Sequence, residues 1–167
     1  MGIAAAVGWV AETLDGADVR WLLTGGTARA LVGAPGAPRD LDIEVALDDV
    51  ERAADALGTT ATATIARRMR SVHGQTAWDG IPVDLSADVV VIAPSRLESD
   101  FELQWRFAHR TSLAGTRLRL GPEEEPLVRA AAAGDEHRLR RLGQAAMERG
   151  LRADYLLLRL LRSSAAS

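Results

Sequence analysis

Three acidic residues alternate with apolar residues in the segment Asp40-Leu41-Asp42-Ile43-Glu44-Val45. Because successive side chains of a β-strand point to opposite faces, this spacing predicts a strand with Asp40, Asp42 and Glu44 on one face. Carboxylates on alternate residues of a strand lie about 7 Å apart, at a rise of ~3.3 Å per residue, and they repel each other. A divalent cation relieves such repulsion, and Mg²⁺ binds one or two carboxylates together with the phosphates of a substrate.

A glycine pair, in Gly25-Gly26-Thr27, precedes this strand and follows an apolar run. The apolar run predicts a buried strand over 19–24, and the residues after the glycines predict a short helix over 26–32. A helix N-terminus presents free N–H groups and the positive end of the helix dipole, which suits a phosphate. Glycine lacks a Cβ, so the backbone there can approach a phosphate closely.

A third acid comes from a predicted hairpin in the middle of the chain. Asp79-Gly80 separates two extended runs and favours a two-residue turn. In the second run, 81–85, Asp84 faces away from the apolar residues on either side of it. Together with Asp40 and Asp42 it gives three carboxylates, which could hold two Mg²⁺ ions about 3.5–4 Å apart for in-line displacement at phosphorus.

The composition limits the chemistry open to this chain. Its 167 residues, of which 47% are hydrophobic, suffice for one compact domain, and the net charge of −3 gives no general reason to bind nucleic acid. No cysteine is present, and all 20 basic residues are Arg, so thiolate metal sites and lysine-based mechanisms are excluded. The N-terminal residues predict an amphipathic helix rather than a signal peptide, and no apolar run is long enough to span a membrane. We therefore expect a soluble cytoplasmic protein.

The remaining pattern predicts an α/β (α+β) fold, in which helices flank a small mixed β-sheet and a helical C-terminal segment follows. We expect a core over residues 1–120 and a C-terminal helical segment over 121–167 that packs on the core. The predicted elements are a helix over 3–14, a strand over 40–46, a helix over 48–57, a strand over 60–66, a helix over 95–110, a strand over 116–120, and helices from Pro122 to residue 162 with breaks at Gly134 and Gly150.

Each motif is common by itself, and their order along the chain is more specific. Thirteen Asp residues in this chain give about one Asp-x-Asp pair by chance. The order strand, Gly25-Gly26-Thr27, helix, loop, Asp40-Leu41-Asp42, and then an acid in a later strand resembles the nucleotidyltransferase fold superfamily, which includes DNA polymerase beta. The amino-acid sequence of this segment is similar to aminoglycoside nucleotidyltransferase-like and abortive-infection-type nucleotidyltransferases. In those proteins an Arg often stands just before the Asp pair, as Arg39 does here.

The resemblance implies Mg²⁺-dependent transfer of a nucleoside monophosphate from a nucleoside triphosphate such as ATP to a hydroxyl of an unidentified acceptor, with release of pyrophosphate. Two Mg²⁺ ions are implied, with Mn²⁺ as a substitute. The implied roles are metal binding and catalysis for Asp40, Asp42 and Asp84, with Asp84 as third ligand or base, and nucleotide binding for Gly25, Gly26, Thr27, Arg39 and Arg129. Arg129 stands where the family usually carries a lysine, which keeps the charge but changes its geometry.

Alternative interpretations remain from the sequence. A non-catalytic or toxin–antitoxin regulatory module could retain the same fold, and it would be favoured if Asp84 faced away from the other acids. A nucleic-acid-modifying enzyme would need a basic groove for its acceptor, which the net negative charge does not favour. The leucines over 156–161 form a very apolar terminal helix, which suggests a homodimer through the C-terminal helices.

Overall fold

In the computed structural model, which describes residues 2–66 and 68–165, a mixed sheet of seven strands lies at the centre. The strands are β1 (Trp21–Thr24), β2 (Leu41–Val45), β3 (Thr62–Ala66), β4 (Met69–Trp78), β5 (Ile81–Val91), β6 (His109–Leu113) and β7 (Thr116–Leu120). The helices are α1 (Ile3–Gly16), α2 (Gly25–Leu31), α3 (Val50–Ala56), α4 (Phe101–Phe107), α5 (Glu125–Ala132), α6 (Glu136–Arg149) and α7 (Ala153–Ala165), and a 3₁₀ turn over Leu47–Asp49 leads into α3. The predicted α/β class with a mixed sheet and C-terminal helices is confirmed.

The strand order is β3-β4-β5-β2-β1-β7-β6, with β2 near the centre. Strand β2 runs antiparallel to β1 and parallel to β5, and β5 is also paired with β4 in the predicted hairpin. Because β2 lies between β1 and β5, the glycine turn after β1 and the acid of β5 both lie next to the Asp-x-Asp strand.

One face of the sheet is the main hydrophobic core. Leu23, Ile43 and Leu85 are fully buried there, beneath helices α1 and α3. Helix α1 faces them with apolar residues at helical spacing, including Val7 and Leu14. The residues of β2 between these apolar positions must therefore point to the opposite face, which carries the acids.

Two predicted boundaries are wrong. The helix predicted over 95–110 spans only Phe101–Phe107, because the Asp100 side chain caps it by accepting the backbone N–H of Leu103. The chain then forms strand β6, which the sequence analysis missed and which pairs antiparallel with β7 through a turn at Ala114-Gly115 with positive φ at both residues. The helix predicted from Pro122 begins at Glu125 instead.

A chain of buried ion pairs connects the sheet to the C-terminal helices. Glu44 of β2 accepts two hydrogen bonds from the Arg129 guanidinium of α5, at 2.7 and 3.0 Å. Arg129 also donates to Glu125, at 2.9 Å, and Glu125 in turn accepts from Arg159 and Tyr155 of α7, at 3.0 and 2.6 Å. Glu44, Glu125 and Arg159 are at most 2% exposed, so their charges contact the partner side chains instead of water.

The pKa shifts follow from these contacts. Burial alone would lower the pKa of Arg129, but the charges of Glu44 and Glu125 outweigh it and hold that pKa above its ordinary value. Burial would raise the pKa of Glu125, but Arg129 and Arg159 outweigh it and hold that pKa below its ordinary value. Arg129 and Glu125 are therefore both held in their ionised forms.

In the described residues, no helix is both long and apolar enough to cross a bilayer. The outer side of α7 nevertheless exposes several large apolar side chains, which are Leu157, Leu160 and Leu161 at 57–59% exposure.

We predict that Arg159→Met destabilises the protein by about 3 kcal/mol, because removing one partner of a buried ion pair leaves a buried carboxylate short of positive charge. The matched control is Arg162→Met on the same helix, which removes a half-exposed ion pair with Asp100 and should cost less than about 1 kcal/mol. Urea unfolding monitored by circular dichroism measures both variants. Similar losses in the two variants would contradict a stabilising role for the buried chain.

Candidate active site

Two of the predicted acids, Asp42 and Asp84, lie in one row across the sheet. Asp42 of β2 is opposite Thr24 of β1 on one side and opposite Asp84 of β5 on the other. Residues directly opposite each other in neighbouring strands project to the same face, and neighbouring strands are about 4.8 Å apart. Asp42 and Asp84 therefore lie side by side, on the face opposite the hydrophobic core.

Asp40 lies immediately before β2 and completes the acidic group. Burial is the largest cause that raises the pKa of Asp42, and the negative charges of Asp40 and then Asp84 raise it further. The Gly26 N–H and the charge of Arg138 act in the opposite direction but do not cancel these effects. The folded protein thus holds three carboxylates near one another, and Asp42 favours a bound proton or a cation beside it.

Gly25 is required where it stands by both its conformation and its neighbour. Its φ is +62°, a region that L side chains rarely adopt. A Cβ at this position would come within 1.7 Å of Oδ2 of Asp42. The glycine turn and the Asp42 carboxylate are therefore in direct contact.

Two threonine hydroxyls fix the turn against the acidic strand. Thr27 is buried, and its Oγ1 donates to the backbone carbonyl of Asp40 at 2.7 Å. Thr24 donates to the backbone carbonyl of Asp42 at 3.2 Å. Thr27 was expected to bind nucleotide, and in this structure its hydroxyl positions the turn relative to the acids.

The two arginines expected at the nucleotide lie in different surroundings. Arg129 is only 17% exposed in its side chain and directs its guanidinium at Glu44 and Glu125. Arg39 is exposed, and no hydrogen bond or ion pair of its side chain is seen in the described part of the chain. The geometry thus gives Arg129 a structural contact with β2 and leaves Arg39 available at the surface.

Asp84 has two neighbours that the sequence analysis did not single out. Its Oδ1 accepts a hydrogen bond from Nε2 of Gln75 at 2.9 Å and lies 3.4 Å from Nε2 of His73. Both residues belong to β4, and Gln75 is directly opposite Asp84 in the hairpin. The contact with Gln75 could have been predicted from the turn at Asp79-Gly80, because counting residues outward from that turn pairs residue 75 with residue 84.

The acidic group suits a divalent cation in its chemistry. Among residues 2–66 and 68–165, no three acid or histidine side chains converge closely enough to form a complete metal site by themselves. The carboxylates of Asp40, Asp42 and Asp84 offer the hard oxygen donors that Mg²⁺ prefers. The raised pKa of Asp42 reflects its burial and also negative charge nearby that a cation would neutralise. Mg²⁺ keeps several positions for water and substrate phosphates, so a partial protein ligand set fits it.

A cavity of about 420 Å³ opens beside the glycine turn, between α2, the segment after β7, and α5. Gly25, Arg29 and His109 contribute to its lining, and so does the segment Glu123 to Glu125. Asp40, Asp42 and Asp84 do not line it, but Gly25 contacts Asp42 directly. The cavity is thus large enough for part of a small-molecule substrate next to the acids.

Comparison with known proteins identifies the family. The family model described as aminoglycoside-2''-adenylyltransferase matches residues 6–152. The chain belongs to this family. The predicted resemblance to nucleotidyltransferases is thereby confirmed, and nucleotidyltransferase activity follows at the level of the family. A comparison with curated proteins finds no significant match.

Three solved structures share the fold. A candidate nucleotidyltransferase from Thermotoga maritima, TM1012, is 17% identical, with a TM-score of 0.65 over 87% of this chain and 89% of that one. ANT(2'')-Ia, in complex with adenylyl-2''-tobramycin, is 14% identical, with a TM-score of 0.56 over 98% of both chains. The lincosamide antibiotic adenylyltransferase LnuA, with lincomycin bound, is 11% identical, with a TM-score of 0.51 over 83% of this chain and 95% of that one.

We predict that Asp42→Asn raises the melting temperature of the metal-free protein at neutral pH. Folding raises the pKa of Asp42, because the ionised form of this side chain is disfavoured in the folded state. The folded protein is therefore less stable at a pH at which Asp42 is ionised than at a pH at which it is protonated. An amide removes that charge. The exposed Asp48→Asn is the control and should leave the melting temperature unchanged. Thermal melts in EDTA measure this effect, and a lower melting temperature for Asp42→Asn would contradict it.

We predict a large difference between two neighbouring glycine substitutions. Gly25→Ala should destabilise the protein by about 2 kcal/mol or more, because it combines a strained φ with a collision against Asp42. Gly26→Ala has no atom within 4 Å of the new Cβ and lies in a helix, so it should be neutral or stabilise by up to about 1 kcal/mol. Urea unfolding of the pair decides, and equal stabilities would contradict the contact between the turn and Asp42.

Proposed function

We propose that this protein is a Mg²⁺-dependent adenylyltransferase that moves AMP from ATP to a hydroxyl of a small-molecule acceptor and releases pyrophosphate. The observation that carries this proposal is the juxtaposition of Asp42 and Asp84, on adjacent strands, with the Gly25 turn against Asp42. A turn suited to phosphate and carboxylates suited to a cation thus lie within one site. Other nucleoside triphosphates are donors to be compared with ATP.

The reaction is a displacement at the α-phosphorus. The acceptor hydroxyl oxygen forms a bond to that phosphorus, the bond from the phosphorus to the bridging oxygen breaks, and pyrophosphate leaves with the electron pair. Asp84 takes the hydroxyl proton in this proposal, and the contacts from Gln75 and His73 orient its carboxylate. Catalysis of this kind depends mostly on positioning and charge stabilisation.

Asp40 and Asp42, with Asp84 as third ligand or base, would hold one or two Mg²⁺ ions, which neutralise charge on the phosphates and lower the pKa of the attacking hydroxyl. Mn²⁺ prefers similar oxygen ligands and should substitute. Gly25 and Gly26 offer backbone next to the phosphates, and the exposed Arg39 is available to them. Arg129 contributes in this proposal by holding Glu44, and thereby strand β2, rather than by contacting phosphate.

The first acceptor class to test is the aminoglycosides. The family carries that substrate in its name, and the related ANT(2'')-Ia was solved with adenylyl-2''-tobramycin. The related LnuA was solved with lincomycin, which makes lincosamides the second class. The cavity beside Gly25 is lined by Glu123, Glu124 and Glu125, but arginines pair with these acids, so the family rather than cavity charge supports aminoglycosides.

A non-catalytic module would need no cluster of acids around Asp42. Asp84 shares the sheet face of Asp42 and raises its pKa, which supports catalysis over that alternative. We also expect a cytoplasmic location, where ATP is available. The exposed leucines of α7 support a homodimer through the C-terminal helices.

We predict that Asp40→Asn and Asp42→Asn each reduce Mg²⁺-dependent AMP transfer by at least about a thousandfold, since loss of a metal ligand removes several kcal/mol of transition-state stabilisation. Asp48→Asn should retain the wild-type rate, because that acid is exposed and lies outside the row that contains Asp42 and Asp84. Labelled ATP is incubated with an aminoglycoside panel, a lincosamide panel and no acceptor, and the adenylylated product is identified by mass spectrometry. Unchanged transfer in Asp42→Asn would overturn the catalytic assignment.

A further inference from the structure

The sheet face that carries the acids is covered on one side and open on the other. Glu44 of β2 is 2% exposed, because Gln104 of α4 and Arg129 of α5 bind its carboxylate. On the other side, the side chain of Asp84 on β5 is 27% exposed and that of His73 on β4 is 40% exposed. Helices thus cover this face over β2, whereas the face over β5 and β4 is accessible to a ligand.

The accessible part of the face carries hydrogen-bonding side chains. Gln75 of β4 is directly opposite Asp84, and His73 of β4 is directly opposite Thr62 of β3. Because side chains alternate between the two faces of a strand, Gln75, His73 and Thr62 all project to the face of Asp84. Every residue of β3 is exposed, so the Thr62 hydroxyl is accessible too. We call Gln75, His73 and Thr62 the polar platform.

Two members of the polar platform hold the same oxygen of Asp84. Nε2 of Gln75 donates to Oδ1 at 2.9 Å, and Nε2 of His73 lies 3.4 Å from that atom. Within residues 2–66 and 68–165, no side chain is seen to donate to Oδ2 of Asp84. The carboxamide of Gln75 also has a carbonyl oxygen and a second N–H to offer. A molecule lying over β4 could therefore contact Gln75 and present a hydroxyl to Oδ2 of Asp84.

The strand order determines from which side an acceptor approaches. In-line displacement places the attacking and leaving oxygens on opposite sides of the phosphorus. The Gly25 turn, which suits the phosphates, contacts Asp42 from the β1 side, and Asp84 lies on the opposite side of Asp42, on β5. With the triphosphate beside Gly25, the attacking hydroxyl lies beside Asp84. The rest of the acceptor then continues over β4, the next strand, which is about 5 Å further.

We propose that the acceptor binds on the polar platform of the β3–β4 hairpin and that it is a sugar-like molecule with several hydroxyl or amino groups. The inference rests on the proposed nucleotidyltransferase function and names its acceptor site. A carboxamide, an imidazole and a hydroxyl beside a carboxylate hydrogen-bond with hydroxyl and amino groups and offer little apolar surface. The platform therefore selects a polar acceptor.

The cavity beside Gly25 is a poorer place for the acceptor. It lies next to the phosphate turn, so an acceptor there would attack from the side on which pyrophosphate leaves. Two of the acids in its lining are already paired, Glu125 with Arg129 and Glu123 with Arg149, which leaves less negative charge for an amino group. The cavity thus remains for the nucleotide.

The first test locates an acceptor on the full-length chain by nuclear magnetic resonance. Tobramycin is the probe, and it is titrated into ¹⁵N-labelled protein that holds Mg²⁺ and an ATP analogue with an α,β-methylene bridge. The backbone amides of Thr62, His73 and Gln75 should show the largest changes in chemical shift. Changes confined to residues of the cavity, such as Gly121 and Gly150, or no change at all, would overturn the platform.

The second test uses the absence of cysteine from this chain, which allows a label to be attached at one chosen position. Thr62→Cys and Ala63→Cys are a matched pair, because these neighbouring exposed residues of β3 project to opposite faces. After reaction with a bulky maleimide, the variant at position 62 should bind tobramycin at least about tenfold more weakly, and the variant at position 63 should resemble the wild type. Equal tobramycin affinities in the two labelled variants would contradict the proposal.

ATP binding separates a local effect from a general one. Isothermal titration calorimetry with Mg²⁺ should give wild-type ATP affinity for both labelled variants. Gln75→Ala should also keep its ATP affinity while it weakens tobramycin binding by about fivefold, the loss expected for one hydrogen bond. Parallel losses of ATP and tobramycin affinity would indicate a structural role for the hairpin and refute the platform.

These outcomes are separate from those of the proposed function. Transfer of AMP to tobramycin by the wild type, with tobramycin located in the cavity, refutes the platform and leaves the function in place. Tobramycin bound at the platform without transfer supports the site and refutes the proposed transfer to this acceptor. Absence of both binding and transfer refutes both proposals for this class of acceptor. Circular dichroism of the variants excludes misfolding as the cause of a loss.

Discussion

The buried ion pairs from Glu44 through Arg129 and Glu125 to Arg159 constrain the rest of this structure. An ion in the protein interior is stable only when its partners satisfy it, and removal of one partner leaves a costly unpaired charge. The four residues carry two negative and two positive charges. Their hydrogen bonds connect β2 to α5 and α5 to α7. The central strand and the C-terminal helices therefore cannot separate without exposing or unpairing these groups.

That constraint positions the chemistry. Asp42 is two residues before Glu44 on the same strand and on the same face, so a strand held at Glu44 also holds Asp42. The two acids differ in their partners: Glu44 has Arg129 and Gln104, whereas Asp42 has other carboxylates nearby and a raised pKa. The ion pairs of Glu44 thus hold the strand in place, and Asp40 and Asp42 at its beginning remain for a cation. Helix α5 also supports α6, because Leu127 packs against Leu142 and Ala146.

The sequence was most informative where its signals are local. Alternation predicted the shared face of Asp40, Asp42 and Glu44, and Asp79-Gly80 predicted the hairpin that brings Asp84 beside Asp42. Contacts between distant elements were not predictable in this way. The partner of Glu44 is on α5, so no spacing within one element reveals this ion pair. Arg129 was assigned to the nucleotide by family position alone, and its short bonds to Glu44 and Glu125 indicate a different use of the same charge.

The central claim is that the acids of β2 and β5 and the turn at Gly25 form one site for a metal-bound nucleoside triphosphate. Its most direct test is a crystal structure with Mn²⁺ and an ATP analogue whose α,β-bridging oxygen is replaced by methylene, with manganese located by anomalous scattering. We predict manganese between the carboxylates of Asp40 and Asp42, with the α-phosphate beside Asp84 and the β- and γ-phosphates beside the turn at Gly25. Manganese and triphosphate bound elsewhere, with Asp40 and Asp42 free of metal, would contradict the account.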